Sequence, residues 1–357
     1  MAVWRLDLAE LSAPSATGIG TVLRRQNLLT SVNDQGQYLK FSYALNGPGG
    51  IEFTLPIDKP TRADYAVGQR ELHLYRDGVL VWGGYLVRSE IDNAFVRFGG
   101  LGWLWKVRRR HVDFDLWYRD TEPTSIAWRL IDWMQDQPNG NLGITLQPTP
   151  LPTPGAVKSV LYCGHERSNI GDAIDDMAEM KDGFDYDVSP AKVFQVWAPG
   201  RGTVRAIEID AGRQTTSLTG ITEDVSELVT ELSVLGPRES CSDDNGLTLS
   251  HAPSVAKYGL LQGEVQYDNT DARIRTSKGD AELEALRRIN VQPKVEFMRS
   301  GLPGELAWGA VGLGDTVRFK SAKGYATYNL LCRVISQEYE VRPGGVERWA
   351  WQLDGDL

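Results

Sequence analysis

The chain has 357 residues, of which 41% are hydrophobic and 24% are charged, as is usual for a globular protein of two or three domains with a sizeable core. The formal net charge of -9 argues against a general nucleic-acid binder, because such proteins need a basic face for phosphate contacts. Three widely spaced cysteines do not form a disulfide framework, and they favour a reducing compartment.

Strand patterns begin near the N-terminus. Alternating apolar residues predict a first strand over residues 3–8. An aromatic-rich strand over residues 38–43 follows, and a glycine-rich turn at residues 46–50 leads into a strand over residues 51–55. We therefore predict a hairpin in this segment.

Residues 70–100 are predicted to form an antiparallel meander. Asp77-Gly78 lies between two apolar strands, and this dipeptide favours a tight hairpin because glycine tolerates positive φ. Gly83-Gly84 is expected to interrupt the second strand with a bulge or a sharp bend. A meander bent at glycines can curl into a small barrel.

The densest basic run of this acidic chain follows the meander, at residues 106–111. Such a run contacts a phosphate or the acidic face of a partner, or it lies solvated at a strand end. We take Arg108, Arg109 and Arg110 as the candidate partner interface. The run also marks the boundary of the first domain.

Helical spacing appears in residues 113–202. Thr124 or Ser125 is predicted to cap one helix, and Ser168 or Asn169 a second. A hairpin is predicted after the second helix, so this segment is expected to be a small α+β insert.

The strand pattern returns at residues 204–209 and 228–235, which we expect to rejoin the first barrel. The insert would then interrupt that barrel. Ser277 is predicted to cap a third helix, whose acidic residues come early and whose arginines come late, as suits the helix dipole.

The meander pattern recurs near the C-terminus. Residues 313–319 are similar in pattern to residues 67–74, and residues 331–336 to residues 84–89, with Trp349 and Trp351 in the place of the third strand. We interpret this as an internal duplication, against the alternative of chance similarity between two antiparallel meanders.

The predicted fold is mainly β, with two related small β-barrel domains and a helix-containing α+β insert. We assign residues 1–112 to the first barrel, completed by residues 203–236. Residues 113–202 are assigned to the insert. A linker, a helix and the second barrel are assigned to residues 237–357.

Motifs that carry chemistry are weak. The run from Cys163 to Glu166 places a thiol, an imidazole and a carboxylate together, but no second group of ligands has paired spacing, which favours a structural role. Asp182, Asp185 and Asp187 suggest calcium, but the EF-hand positions of the turn glycine and closing glutamate are wrong, so we expect these aspartates to face solvent.

No dinucleotide, phosphate-loop, kinase or hydrolase motif is present in the sequence. We therefore predict no enzyme activity, no cofactor and no metal site. No apolar run approaches the ~18 residues of a membrane span, so we expect no membrane insertion, and no export signal is visible.

The order of these motifs resembles the tail-hub family of tailed phages, also called minor tail or tail-associated proteins, which is related to the baseplate hub of contractile tails. The resemblance spans most of the chain. It rests on the strand over residues 53–55, the Tyr75-Arg76-Asp77-Gly78 turn, Val81-Trp82-Gly83-Gly84, the close over residues 101–110, Leu313-Gly314-Asp315-Thr316-Val317, and the ending over residues 333–351.

In that family, as the resemblance implies, two barrels per chain let a homotrimer build a pseudo-sixfold ring that joins a sixfold tail tube to threefold tip structures. The expected neighbours are distal tail or tail-tube proteins, a tape measure protein and tip or fibre proteins. DNA would pass through the ring without specific binding, past a lumen that we expect to be partly acidic. The expected location is the virion tail tip, after assembly in the host cytoplasm. Some relatives carry a C-terminal enzymatic extension, and none is visible here.

Two other classes stay open. A carbohydrate- or receptor-binding β protein is suggested by tryptophans such as Trp103, Trp105 and Trp117, which could stack on sugars. A wall hydrolase, with the insert as its catalytic domain, needs only two well-placed carboxylates among 47 acidic residues.

Overall fold

The computed structural model describes residues 2–11, 20–28, 38–153, 157–181, 183–211, 216–224, 226–236, 246–267, 272–298, 307–324, 326–343 and 346–356. The strands of this part of the chain are β1 (Trp4–Glu10), β2 (Val22–Leu28), β3 (Leu39–Ala44), β4 (Gly47–Pro56), β5 (Arg70–Arg76), β6 (Val79–Ile91), β7 (Phe95–Gly102), β8 (Leu116–Thr121), β9 (Thr145–Leu146), β10 (Lys158–Tyr162), β11 (Asp185–Val188), β12 (Val193–Trp197), β13 (Val204–Asp210), β14 (Thr216–Asp224), β15 (Glu231–Leu235), β16 (Leu247–Ser250), β17 (Gln262–Gln266), β18 (Asn290–Met298), β19 (Thr316–Lys323), β20 (Ala326–Arg342) and β21 (Val346–Asp356). Its helices are α1 (Leu104–Val107), α2 (Pro123–Asp136), α3 (Ile170–Ala178), α4 (Ala252–Tyr258) and α5 (Ala272–Leu286).

One large sheet dominates the fold. Its pairing order is β14-β18-β21-β20-β3-β4-β7-β6-β5-β1-β2, and β19 and β13 extend it beside β20. The prediction of a mainly β chain is confirmed. No closed barrel is found among the described strands, so the two barrels stay a prediction.

The same strand order occurs twice in this sheet. In the first half, β5, β6 and β7 form a meander, β7 pairs back with β4, and β4 pairs with β3. In the second half, β19, β20 and β21 form a meander, β21 pairs back with β18, and β18 pairs with β14. All of these pairs are antiparallel, so the recurrence supports an internal duplication. The pairing of β3 with β20 joins the two halves.

The strands of residues 203–236 pair differently from our expectation. β13 pairs with β19 and β14 with β18, both in the second half. β15 lies in a separate sheet with β16 and β17. Because β3 and β4 already pair with β20 and β7, the first half does not use these returning strands. The segment of residues 113–202 therefore lies between the two halves in the chain and does not interrupt the first.

The Asp77-Gly78 hairpin is confirmed, with φ of 51° at Asp77 and 83° at Gly78. Gly83 and Gly84 do not interrupt the second strand: β6 is continuous, and its register shifts lie at Val81 and Val87. A Cβ on Gly83 would lie 2.7 Å from the carbonyl oxygen of Pro190, and one on Gly84 would lie 2.2 Å from that of Leu101. These glycines therefore permit close packing against β6, not a bend in it.

The side chains of the large sheet form one core that contains residues of both halves, among them Leu6, Phe41, Phe53, Trp349 and Trp351. A second core lies in the segment between the halves, beneath α2 and α3. Ile274 of α5 is part of this second core, so α5 packs against that segment.

The helix starts agree in part with the sequence predictions. Asn169 caps α3, since its Oδ1 accepts a hydrogen bond from the Gly171 amide at 2.8 Å. The cap of α2 is Glu122, two residues before Thr124 and three before Ser125, the predicted caps. The helix starts with Pro123, because proline at the first helical position has no amide that needs a partner. The predicted cap Ser277 is wrong: it is a buried residue within α5, where apolar packing extends the helix towards its N-terminus. No helix in the described part of the chain is long and apolar enough to cross a membrane.

Candidate functional site

The predicted interface residue Arg108 lies at the end of α1 and is used inside the molecule. Its guanidinium forms an ion pair with Asp175 at 2.6 Å. It also donates to the carbonyl oxygen of Asn46 at 3.0 Å and to the hydroxyl of Tyr186 at 2.8 Å. Arg108 therefore joins the β3–β4 turn to α3 and β11.

Arg109 and Arg110 reach the surface. Arg109 is exposed, and its guanidinium lies 5.8 Å from the ring centre of Trp105. Arg110 donates to the carbonyl oxygen of Asn139 at 2.6 Å. Their part in a partner interface stays a prediction.

An exposed aromatic surface follows the basic run, and we define it by Phe114, Trp117, Arg119 and Leu161. Phe114 is 62% exposed, Trp117 60% and Leu161 46%. Trp117 of β8 is paired opposite Leu161 of β10, and the guanidinium of Arg119 lies 3.8 Å from the centre of the Trp117 ring. Exposed aromatic and arginine side chains in one place are typical of protein interfaces.

Only part of this surface was visible in the sequence. Trp117 was among the tryptophans considered for sugar stacking, whereas Phe114 was missed. The signal for Phe114 was its place between exposed aspartates, where an aromatic side chain has little chance of reaching a core. Trp103, another tryptophan considered for stacking, is buried.

A buried ion pair joins the first half to the inserted segment. Lys192 Nζ lies 2.6 Å from Glu71 Oε1, and both side chains are fully buried. The same ammonium donates to the carbonyl oxygen of Leu142 at 3.1 Å and lies 4.6 Å from the ring centre of Trp103. His73 Nε2 lies 3.4 Å from Glu71 Oε2. Lys192 has φ of 61°, so the ion pair holds a turn residue in the left-handed region.

The charges of this pair are set by burial and by partners. Burial alone would raise the pKa of Glu71, but His73, Lys192 and the Gly20 amide outweigh it and hold the pKa at about 2. Burial lowers the pKa of Lys192, and Glu71 opposes that effect. Because each ion stabilises the charged form of the other, we expect both to be charged at neutral pH.

A second polar junction lies where the inserted segment meets the second half. Asp315 accepts hydrogen bonds from the amides of Thr203 at 2.8 Å and Gly312 at 2.9 Å, and from Arg205 Nε at 2.9 Å. Burial opposes ionisation of Asp315, but these donors lower its pKa. Arg333 nearby forms an ion pair with Asp185.

A cleft of about 270 Å³ lies where the two halves and the inserted segment meet. Its lining includes Tyr43, Trp308 and Tyr339, together with Asp187 and Arg201. Burial raises the pKa of Asp187 to about 6, although Arg201, 3.0 Å away, opposes this. Asp187 is the only carboxylate among the described lining residues, so the cleft has no second carboxylate for a general acid and base pair.

Other candidate chemistry in the sequence does not come together. In the described ranges, no group of three or more His, Cys, Asp or Glu residues is placed to hold a metal ion. Asp185 and Asp187 do not face solvent freely as expected, because they form ion pairs with Arg333 and Arg201. Asp182 lies outside the described residues.

No protein-family model matches this sequence, and no curated protein matches it. Solved structures do match the fold. A tail protein from Neisseria meningitidis MC58 is similar with a TM-score of 0.64 and 10% identity, over 98% of this chain and 96% of its own. The 43 kDa tail protein of prophage MuSo2 from Shewanella oneidensis has a TM-score of 0.65 and 8% identity, over 98% of both chains.

A prophage tail protein from Listeria monocytogenes EGD-e is similar with a TM-score of 0.60 and 14% identity, over 98% of this chain and 94% of its own. Identities this low show a shared fold. The resemblance to phage tail proteins seen in the sequence is thus confirmed at the level of fold, and the chain has the fold of these phage tail proteins over nearly its whole length.

Proposed function

We propose that this chain is a structural tail-tip hub protein of a tailed phage. Three copies form a pseudo-sixfold ring that joins the tail tube or distal tail ring to the tip and surrounds the DNA channel. The solved structures of the same fold are named tail proteins, which supports a structural role in a tail and a location in the virion.

The observation that carries this proposal is the strand order that occurs twice in one chain. A closed ring needs repeated contacts, and two similar units per chain let three chains supply six of them. The pairing of β3 with β20 fixes the two units side by side in one sheet.

The segments outside the repeated strand order occur once per chain, so a trimer would present them with threefold symmetry. Residues 113–202 and the part that contains α4 and α5 each occur once per chain. They pack together: Lys181 pairs with Asp280 at 3.0 Å, and Lys278 with Asp176 at 2.9 Å. In a trimer they would form three projections, which suits contact with a threefold tip.

We assign contacts with neighbouring tail proteins to the aromatic surface together with Arg109 and Arg110. Distal tail or tail-tube proteins, a tape measure protein and tip or fibre proteins are the proposed neighbours. Assembly takes place in the host cytoplasm, and DNA crosses the ring without specific binding. We propose no enzymatic role.

Antibody labelling of tailed particles that contain this chain tests the location. Label confined to the tail tip is the expected result in negative stain, and label along the tube or on the head would refute it. Native mass spectrometry of the full chain tests the stoichiometry, with a trimer expected. Class averages of that trimer should show six similar densities around a central opening.

A carbohydrate- or receptor-binding tail protein is the second candidate, and the exposure of Trp117 and Phe114 favours it. An exposed indole can stack on a sugar ring. Saturable glycan binding by the isolated chain, abolished by Trp117→Ala and retained in Trp105→Ala, would support this role. Absence of glycan binding would refute this role, and the aromatic surface would then be assigned to contacts with other proteins.

A further inference from the structure

A row of charged side chains crosses the large sheet on the face opposite its core. Cross-strand pairing places successive members side by side on six neighbouring strands: Arg88, Gly99, Glu52, Lys40, Glu340 and Arg348. The signs of the charges alternate along the row. The contact between Lys40 and Glu340 lies on the β3–β20 pair, so the row continues from one half to the other.

The ion pairs found on this face join ten charged side chains. The ion pairs are Arg88–Glu52 at 3.3 Å, Arg97–Glu52 at 3.5 Å, Arg97–Glu90 at 3.6 Å, Lys40–Glu338 at 3.0 Å, Arg342–Glu340 at 2.6 Å and Arg348–Glu296. These pairs contain five bases and five acids. These paired charges therefore sum to zero, although the whole chain carries a formal charge of -9.

This face has the composition of a hydrated surface. Arg88, Lys40 and Arg348 are about half exposed. Protein interfaces are depleted of lysine and glutamate at their centres, because taking ions out of water is costly. Of the large exposed apolar side chains on these six strands, Val79, Ile91 and Val346 lie at strand ends, and Leu331 lies within β20, nine residues before Glu340.

A shallow groove makes part of the face smooth. Gly50 and Gly99 leave a depression of about 390 Å³ in the sheet, bordered by Lys40, Glu52 and Arg88. Gly50, Gly99 and Gly100 among its lining residues carry no side chain.

We propose that this neutral, ion-paired face lines the DNA channel of the ring, an assignment that rests on the proposed hub function. A duplex is held by bases that are free to contact phosphates. The five bases of these ion pairs are each matched by an acid, so the paired charges exert no net attraction on DNA. The acids are also matched, so the surface sets no repulsive barrier, unlike the partly acidic lumen expected from the sequence. DNA can then slide past it.

To test this, glutamates of the face are replaced by glutamine, and the binding of two forms of DNA is measured. The variant E52Q/E338Q/E340Q of the trimer frees Arg88, Lys40 and Arg342, whereas Arg97 keeps its ion pair with Glu90. The control D113N/D132N/E166Q makes the same change in net charge at exposed positions of the inserted segment. Each protein is mixed with a short linear duplex and with a covalently closed circular duplex, which cannot thread through a closed ring.

We expect the face variant to bind the linear duplex about tenfold more tightly than the unaltered protein, with steep salt dependence and no gain for the circle. The control should gain equally, and only slightly, for both DNAs. Equal gains of the face variant for linear and circular DNA would put the face outside the ring and overturn the assignment. No gain for either would overturn it as well.

The state of assembly separates this inference from the proposed function. Native mass spectrometry of the same samples reports the trimer. A chain that stays monomeric would refute the ring and the channel face together, whereas an intact trimer that binds circular DNA refutes the channel face alone. If the triple variant does not assemble, E338Q/E340Q gives the same test with a smaller expected gain.

Discussion

The buried pair of Lys192 and Glu71 allows a sharp test of how the inserted segment is held. At their separation of 2.6 Å and an effective dielectric constant of about 20, the attraction is about 6 kcal/mol. That attraction offsets the cost of taking both ions out of water. Lys192→Met removes it and leaves Glu71 charged and buried, so we expect a loss of about 3–5 kcal/mol in the free energy of unfolding.

A double variant separates the pair from its surroundings. The double variant Lys192→Met with Glu71→Gln has no buried charge at this place. In the unaltered chain the Gly20 amide donates to Glu71 Oε2 at 3.1 Å, and the side-chain oxygen of the new glutamine can still accept this hydrogen bond. We therefore expect the double variant to lose less than the sum of the two single variants, with a coupling of about 2 kcal/mol.

Urea unfolding followed by tryptophan fluorescence measures these losses, and Trp103 beside Lys192 is a local reporter. Lys181→Met is the matched control, because Lys181 also forms an ion pair, with Asp280, but is mostly exposed. It should lose less than about 1 kcal/mol. The reasoning is refuted if the Lys192 variant is no less stable than the Lys181 variant, or if the two single losses simply add in the double variant.

Three further changes have defined outcomes. The pKa of Asp187 is raised from 3.8 to about 6, so the folded chain binds this proton more tightly than the unfolded chain does. The free energy of unfolding should therefore rise as pH falls from about 6 to about 4. Urea unfolding at several pH values should show a smaller rise for Asp187→Asn than for the unaltered protein. Gly84→Ala should lower stability by about 1–3 kcal/mol, because its Cβ meets backbone, whereas Gly220→Ala has nothing within 4 Å and should change the thermal midpoint little. Arg108→Met should speed proteolysis between α1 and α3, and Arg110→Met, which removes only a surface hydrogen bond, should not.

Local chemistry made much of the fold predictable. The Asp77-Gly78 turn requires positive φ at two adjacent positions, and few residue pairs other than Asp-Gly adopt it easily. Asn169 caps α3 through a hydrogen bond to an amide two residues later. Such features depend on a few neighbouring residues, so the sequence alone determines them.

Pairing between distant strands was not predictable in the same way. The alternation in β13 and β14 shows that both are strands, but not that their partners are β19 and β18. That choice depends on β19 and β18, which come much later in the chain. Gly83 and Gly84 were correctly seen as special, yet their role depends on Pro190 and Leu101, which approach from elsewhere in the fold.

The candidate site shows the same division. The basic run was visible because charge is a property of composition, but its three arginines have different roles. Arg108 meets Asp175 only because α3 packs beside α1, whereas Arg109 and Arg110 point outwards. Lys192 was not predicted at all, because a lysine in a turn is normally exposed and no local signal announces a distant glutamate.

The two halves contribute unequally to the neutral face, and this has a consequence for the ring. Among the ion-paired residues, the first half has one excess base and the second half one excess acid. These residues are Lys40, Arg88, Arg97, Glu52 and Glu90 in the first half, and Arg342, Arg348, Glu296, Glu338 and Glu340 in the second. The pair of Lys40 and Glu338 closes the balance across the joint between the halves. In a ring of three chains that all run in the same direction, basic and acidic halves alternate around the channel. DNA would then meet no net charge where the two halves of a chain join. This arrangement requires the duplicated halves to have diverged in charge while they kept their strand order.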